Sequence, residues 1–390
     1  DIEQMEIFRG PQGLFQGPPA SAGAVNIYRS RPTGEPSVAG SLSFGDYGRR
    51  RVNGVVNFPL LNQLAGKVTL DMTDGGGKYI FGRRYVSNAF SSRAENEEQR
   101  KATSVALRWH GTDLQIQYTF DAVNDTSDVP ALLNLSSAAD VLCDPIDPVH
   151  CSAGTNGLIP ETGNTEFTLQ NFANDRKYET RQHAVHVDLA WLGHDIRSIS
   201  AYRQTSETSN QDLDATSIDF YSTVNHRDYE QLSQEVTAFS QLTPDIAYQM
   251  GGYILSTQSD LDRQDHFVIG AIANAGRILP VPAGEIRTVN ADVKTRLQSL
   301  FGHIEYQMDP QWTVDGGMCW NVVRLNWTHL VSRPNNGLNA LPVLVAGSDD
   351  HREITGTVGV TYKVDEEAMV YFRYNRAWRP GGYDDNANST

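Results

Sequence analysis

The feature that most limits this chain is a two-residue alternation of apolar and polar side chains, interrupted by connections that are short and long by turns. In 113–122, Leu114, Ile116, Tyr118 and Phe120 share one face, while Gln115, Gln117, Thr119 and Asp121 share the other. In 64–73, Leu64, Val68, Leu70 and Met72 oppose Ala65, Lys67, Thr69 and Asp71. Val185, Val187, Leu189 and Trp191 alternate with Ala184, His186, Asp188 and Ala190. Successive side chains of a strand point to opposite faces, so this period specifies sheet with one apolar and one polar face. About thirteen such segments are readable, near 37–46, 50–59, 64–73, 101–111, 113–122, 181–192, 194–205, 228–241, 245–257, 297–308, 311–327, 351–363 and 367–378.

The connections narrow the architecture further. Short turns fall at 59–63, 111–112, 192–193, 242–244, 308–310 and 364–366. Between them lie long polar segments at 74–100, 123–180, 206–227, 258–296 and 328–350. A soluble sandwich has no reason to gather its long loops at one end. An antiparallel barrel in an outer membrane does, with tight periplasmic turns and long extracellular loops. Aromatics near strand ends fit the interfacial girdles of such a barrel: Trp109, Tyr118, Phe120, Trp191, Tyr202, Trp312, Trp320, Trp327, Tyr371, Phe372, Tyr374 and Trp378. The competing reading is aromatic core packing in a soluble β-protein, because antiparallel sheets alternate there too.

Composition agrees with a barrel and removes other classes. The 390 residues carry 32 Lys+Arg against 47 Asp+Glu, a net charge of −15, which argues against nucleic acid as a partner. Mean hydropathy is −0.43 and no long uncharged apolar run is present, so a helical membrane protein is excluded. A β-barrel survives this test because its lumen and loops are polar. No zinc spacing, Walker loop, GxSxG or HExxH motif occurs, and no catalytic constellation or cofactor is expected. Cys143 and Cys151, in CDPIDPVHC, have a spacing that suits a loop-closing disulfide or a pair of unlinked loop thiols. Cys319, alone in a strand segment, reads as a small packed hydrophobe. His183 and His186 fall on opposite faces of one strand and cannot share a metal.

The N-terminal run DIEQMEIFRGPQGLFQGPPASAGAVNIYRSRP resembles the end of the plug domain of TonB-dependent outer-membrane receptors. The matching residues are Ile2, Glu3, Glu6, Arg9, Gly10, Pro11, Gln12, Gly13, Gly17, Gly23, Ala24, Asn26, Ile27, Arg31 and Pro32. GSLSFGDYGRRRVNGVVNFPL is similar to the first barrel hairpin of that family, and 232–239, 251–255, 301–317 and 355–386 add weaker matches in the same order. The sequence departs from the family at Pro18, Pro19 and Ala20 and at Met318, Cys319 and Trp320, which leaves ligand identity open.

The resemblance implies an all-β fold: an antiparallel transmembrane β-barrel, incomplete at about 13 of an expected 22 strands, preceded by the C-terminal piece of a plug. Residues 1–36 are expected to be the plug segment and 37–390 the partial barrel, the chain being an internal piece that lacks the signal peptide and energy-coupling box. The implied function is active uptake of a scarce nutrient across the bacterial outer membrane, first of all a ferric siderophore or other iron chelate. Alternatives are a passive porin-like channel, uptake of cobalamin, oligosaccharide or aromatic compounds, and a surface β-adhesin without transport. The implied partners are a TonB-type energy-transducing protein, outer-membrane lipid and lipopolysaccharide, and the small-molecule ligand.

A plug that is held yet movable calls for breakable ion pairs, and arginine offers bidentate geometry to carboxylates. Arg9, Arg29 and Arg31 are the expected plug cations, and Glu235 and Glu305 the expected barrel carboxylates, with a lock between Arg9 and one of the two. The competing reading leaves all five as solvated lumen residues, since isolated ion pairs contribute little. Leu14, Phe15 and Gln16, between two glycines, are the candidates for facing the ligand.

Overall fold

The structure, a computed structural model, describes residues 2–10, 23–77, 97–130, 132, 172, 174–213, 221–266, 286–332 and 342–381 in full, and the backbone alone of the strand residues at 80–86, 89–95, 167–170, 267, 271–274, 277–280 and 285. In chain order the strands are β1 (Ile2–Arg9), β2 (Gly23–Arg29), β3 (Ser37–Phe44), β4 (Arg50–Leu61), β5 (Leu64–Gly75), β6 (Ile80–Val86) and β7 (Ala89–Glu95). They continue with β8 (Glu98–His110), β9 (Leu114–Asp125), β10 (Phe167–Gln170), β11 (Asp175–Trp191), β12 (His194–Asp212), β13 (Tyr221–Thr243) and β14 (Ile246–Phe267). The last six are β15 (Ala271–Asn274), β16 (Arg277–Pro280), β17 (Glu285–Gln307), β18 (Trp312–Ser332), β19 (Val343–Lys363) and β20 (Met369–Arg376).

Thirteen of these strands form one antiparallel meander in the order β3-β4-β5-β8-β9-β11-β12-β13-β14-β17-β18-β19-β20. Each corresponds to one of the segments expected from the alternation. The strands β1 and β2 pair with each other as a separate hairpin. The long connections contain further pairing that the sequence did not suggest: β6 with β7 and β10, and β15 with β16. Backbone groups in a long segment must find partners somewhere, and these segments find them among themselves.

The short turns hold for local reasons. Leu192 and Gly193 both take positive φ, 50° and 79°, the two-residue turn whose twist matches a hairpin. Asp309 Oδ1 accepts the N–H groups of Gln311 and Trp312, each at 2.8 Å. Asp365 Oδ1 does the same for Glu367 at 2.8 Å and Ala368 at 2.9 Å. An aspartate that hydrogen-bonds its own chain two or three residues on fixes a tight reversal.

The two faces of the sheet differ as the alternation requires. One carries Leu232, Val236, Met250, Ile254, Leu300, Ile304, Val358 and Phe372, all exposed. On β17, Leu300 is 60% exposed while its neighbour Ser299, on the other face, is 6% exposed. The apolar face persists for roughly ten residues from each short turn, which at ~3.3 Å per residue and ~40° of tilt spans about 25 Å, the height of an outer-membrane apolar band. Beyond that level the same face turns polar: Glu230 and Asp228 on β13, Asp260 and Asp262 on β14, Arg296, Lys294 and Asp292 on β17.

The strands do not stop where the apolar band stops. β13 and β17 each run 23 residues, and β14 runs 22. Segments expected as loops at 206–227, 258–296 and 328–350 are therefore largely strand, and the expected boundaries at 228, 257, 297, 327 and 351 fall short. Above the lipid both faces meet water, so the period-2 signal disappears while the hydrogen-bonded ladder continues.

Three aromatics expected in the girdles lie elsewhere. Trp327 is on the polar face, where it closes over Gly347; a Cβ at that glycine would collide with the indole. Trp378 also packs on that face, and Tyr371 shares it by register with Thr361. Trp312 remains at the short-turn end of the outer face, its ring 4.6 Å from that of Tyr362, which the sequence did not place there. Cys319 is buried beside Phe301, in keeping with its reading as a packed hydrophobe.

Candidate functional site: the hairpin on the lumen wall

The β1–β2 hairpin lies against the polar face, which makes that face the lumen side. Its register places Glu6 opposite Asn26 and Arg9 opposite Gly23. Gly23 has φ +143°, and a Cβ there would run into the carbonyl oxygen of Phe8, so the position needs glycine. Tyr28 donates its hydroxyl to Glu6 Oε2 at 3.1 Å and accepts from Asn26 Nδ2 at 3.4 Å. The motif residues Glu6 and Asn26 therefore help hold the two strands of the hairpin together. Pro11, Gly13, Leu14, Phe15, Gln16 and Gly17 lie outside the described residues, as do Cys143 and Cys151.

Where the hairpin leaves for the barrel, three cationic side chains cross between it and the wall. Arg29 donates from Nη1 to Asp121 Oδ1 at 2.7 Å and from Nη2 to Asp121 Oδ2 at 2.9 Å. The same Nη1 reaches Ser104 Oγ at 3.2 Å. Two parallel bonds of this kind fix direction as well as distance. Arg31 Nη1 stands 3.6 Å from Asp188 Oδ2, and Asp188 Oδ1 accepts from Arg197 Nε at 2.8 Å. Lys67, 4% exposed on β5, points the other way, from wall to hairpin. Its ammonium donates to the Ser30 carbonyl oxygen and, at 3.1 Å, to Ser30 Oγ.

Two of the expected plug cations find their partners here: Arg29 engages Asp121 and Arg31 engages Asp188. Glu235 stands on the lumen side of β13, opposite Ile199 and Tyr253, and accepts from Thr237 Oγ1 at 3.4 Å. Glu305 sits near the short-turn end of β17, opposite Ala247 and Asp315, and is exposed. Both share the lumen face by register. The choice of Asp121 and Asp188 has a geometric cause: the exit of the hairpin rests on the wall of β5, β8, β9, β11 and β12, so the carboxylates in reach of Arg29 and Arg31 are those of β9 and β11. Asp121 and Asp188 were visible in the sequence as polar-face members of alternating strands. Nothing in the alternation says which part of a curved sheet the hairpin will meet.

Two cavities flank Arg29. One, of about 320 Å³, is bordered by Tyr28, Arg31, His186, Asp188 and Arg197. The other, of about 290 Å³, is bordered by Arg51, Lys67, Asp71 and Asp121. Charged linings on both sides of a half-exposed ion pair make the junction a wet one, where salt bridges are exchangeable with water. Among the described residues, no group of three His, Cys, Asp or Glu side chains is placed to hold a metal ion.

A family profile described as TonB dependent receptor-like, beta-barrel matches residues 104–390. Solved structures with the same fold include the ferric yersiniabactin uptake receptor FyuA of Yersinia pestis, at 14% identity and a TM-score of 0.77, covering 100% of this chain and 54% of that one. The ferric-catecholate import receptor Fiu of E. coli K12 in its open form is 15% identical, with a TM-score of 0.67, covering 97% and 60%. The siderophore receptor PiuA of Acinetobacter baumannii is 11% identical, with a TM-score of 0.64, covering 96% and 54%. The chain spans between half and two thirds of the length of these structures. It is an outer-membrane protein and belongs to the TonB-dependent receptor-like β-barrel family.

Proposed function

We propose that the protein imports a bulky, scarce nutrient across the outer membrane, with a ferric siderophore or other iron chelate as the first ligand class. Residues 1–36 are then the end of a plug and 37–390 a portion of the barrel around it. The observation that carries this reading is the Arg29–Asp121 pair: a bidentate link between hairpin and wall that is partly exposed to water. Hydrogen bonds to charged groups contribute ~1.5–3 kcal/mol each at best and less when wet. Such a joint holds a plug at rest and yields to a pull from an energy-transducing partner in the inner membrane. The iron-directed names of the structural relatives support the ligand class.

The lock includes Arg31–Asp188 and Lys67–Ser30, and Arg9 is assigned to Glu235 or Glu305 across the lumen. The loops and Leu14, Phe15 and Gln16 are assigned to ligand contact, and lipopolysaccharide to the charged outer wall. Radioiron uptake by cells expressing the full-length protein tests the proposal. Uptake that stops when the proton motive force is collapsed supports it. Passive conductance of the purified protein in planar bilayers, with no energised uptake, favours a porin-like channel and overturns it.

A further inference from the structure

One row of the lumen wall departs from the polarity of its surroundings. Leu255, Leu297, Val323 and His351 stand directly opposite one another on four adjacent strands, β14, β17, β18 and β19. Tyr253, one step toward the short turns, joins Leu297 and Val323 in a buried apolar cluster. The row that includes Tyr253 is otherwise polar, continuing through Ser299, Asn321 and Glu353, and Ser299 Oγ donates to Asn321 Oδ1 at 2.7 Å. Barrel lumens of this kind are polar, so an aliphatic row three strands wide, flanked by a histidine, is an exception that calls for an occupant.

The occupant at rest belongs to the chain itself. Past Arg376 the backbone leaves the β20 ladder, and the following residues form a strap over the lumen face. Arg376 Nη2 donates to Glu353 Oε2 at 3.1 Å and fixes the strap at its root. Two residues on, Trp378 lies against the Tyr253–Leu297–Val323 cluster, and its ring stands 5.6 Å from that of His351 at 58°. The indole is only half-buried, so it covers the row without being sealed into a core. Arg379, exposed at the next position, adds a cation to the strap.

We propose that this row is a binding subsite for a planar aromatic group carrying a carboxylate or similar anion, and that Trp378 is its resting placeholder. The ligand's ring displaces the indole from the aliphatic floor, its anion meets Arg379, and its larger polar body stays in the aqueous lumen. The inference rests on the uptake reading above and adds an aryl requirement to it.

The test uses the full-length receptor in detergent, with 2-naphthoate as probe and cyclohexanecarboxylate as the ring-free control. Emptying the row with Trp378→Ala is expected to tighten 2-naphthoate binding about tenfold, the effect of removing a competitor of ~1.4 kcal/mol. Val323→Asn placed in that background is expected to reverse the gain. Unchanged or weaker binding by Trp378→Ala, or an equal gain for cyclohexanecarboxylate, overturns the subsite. Should Trp378→Ala fail to fold, as heat-modifiable migration would reveal, the decision passes to fluorescence. Wild-type emission must then change on adding 2-naphthoate, with the change lost in Trp378→Phe; persistence of the change in Trp378→Phe overturns the assignment. Energised radioiron uptake is measured in parallel. Intact uptake with no naphthoate effect removes the subsite alone, and a naphthoate effect without uptake removes the iron reading alone.

Discussion

Asp121 receives both terminal nitrogens of Arg29 across 92 positions of sequence, at 2.7 Å and 2.9 Å. The last residue of the hairpin is thereby joined to the middle of the barrel wall. Because each carboxylate oxygen takes one N–H, Asp121→Asn keeps the shape and loses the charge. It is expected to weaken the joint by about 1–3 kcal/mol. In planar bilayers the full-length variant should pass ions in bursts that the native protein does not show. A double-mutant cycle with Arg29→Gln that finds no coupling would dismiss the pair as incidental.

Lys67 makes a second prediction, of opposite polarity. Its ammonium is buried and directed at the backbone of Ser30. Lys67→Met keeps the aliphatic stem but removes the charged donor to the Ser30 carbonyl, at a cost of about 1–3 kcal/mol. The segment 30–36 should then become sensitive to protease in detergent-solubilised protein while the barrel stays intact. Equal protease resistance in the variant and the native protein would refute the clamp.

The outer face supports a contrast between neighbours. Met250, close to the middle of the apolar band on β14, is exposed, while Gln249 faces the lumen. Met250→Arg is expected to cost about 2–4 kcal/mol in reversible unfolding from lipid vesicles, the depth-dependent penalty of a cation facing hydrocarbon. Gln249→Arg should be close to neutral. Similar penalties for both would contradict the assignment of faces.

Above the band, Asp228, Asp260 and Asp292 stand opposite one another on β13, β14 and β17. Gln258 Nε2 donates to Asp260 Oδ2 at 3.0 Å and to Asp292 Oδ2 at 3.1 Å. Partial dehydration, together with the Asp292 carboxyl alongside, pushes the Asp260 carboxyl above its ordinary value. A carboxyl with a raised folded value favours the folded state when protonated. Its contribution is fully present below the unfolded value of about 3.9 and is lost as pH rises through the raised one. The melting temperature should therefore contain a component that rises as pH falls through that window, and Asp260→Asn should remove it. An identical pH profile in the variant would refute the repulsion.

Thirteen strands were legible because lipid on one side and water on the other impose a period of two. The upper halves of β13, β14, β17, β18 and β19 were not, because Asp228, Asp260 and Asp292 sit on the outer face without any apolar neighbour to mark it. The pairing of Arg29 with Asp121 was equally hidden. Each residue is recognisable alone as a plug cation or a lumen-face acid, but the choice between Asp121 and Glu235 depends on how far the sheet has curved. Trp378 misled for a related reason: an aromatic just past a strand end looks the same whether the chain continues along the wall or bends inward.

Strands of 21 to 23 residues have a consequence outside the membrane. About half of each stands clear of the hydrocarbon, a hydrogen-bonded collar ~30 Å tall by the same rise and tilt. Its outer side is freed from the demand for greasy side chains that governs the lower half. It can therefore change charge and shape without disturbing insertion. Seen from outside the cell, the protein presents a flank as well as a rim.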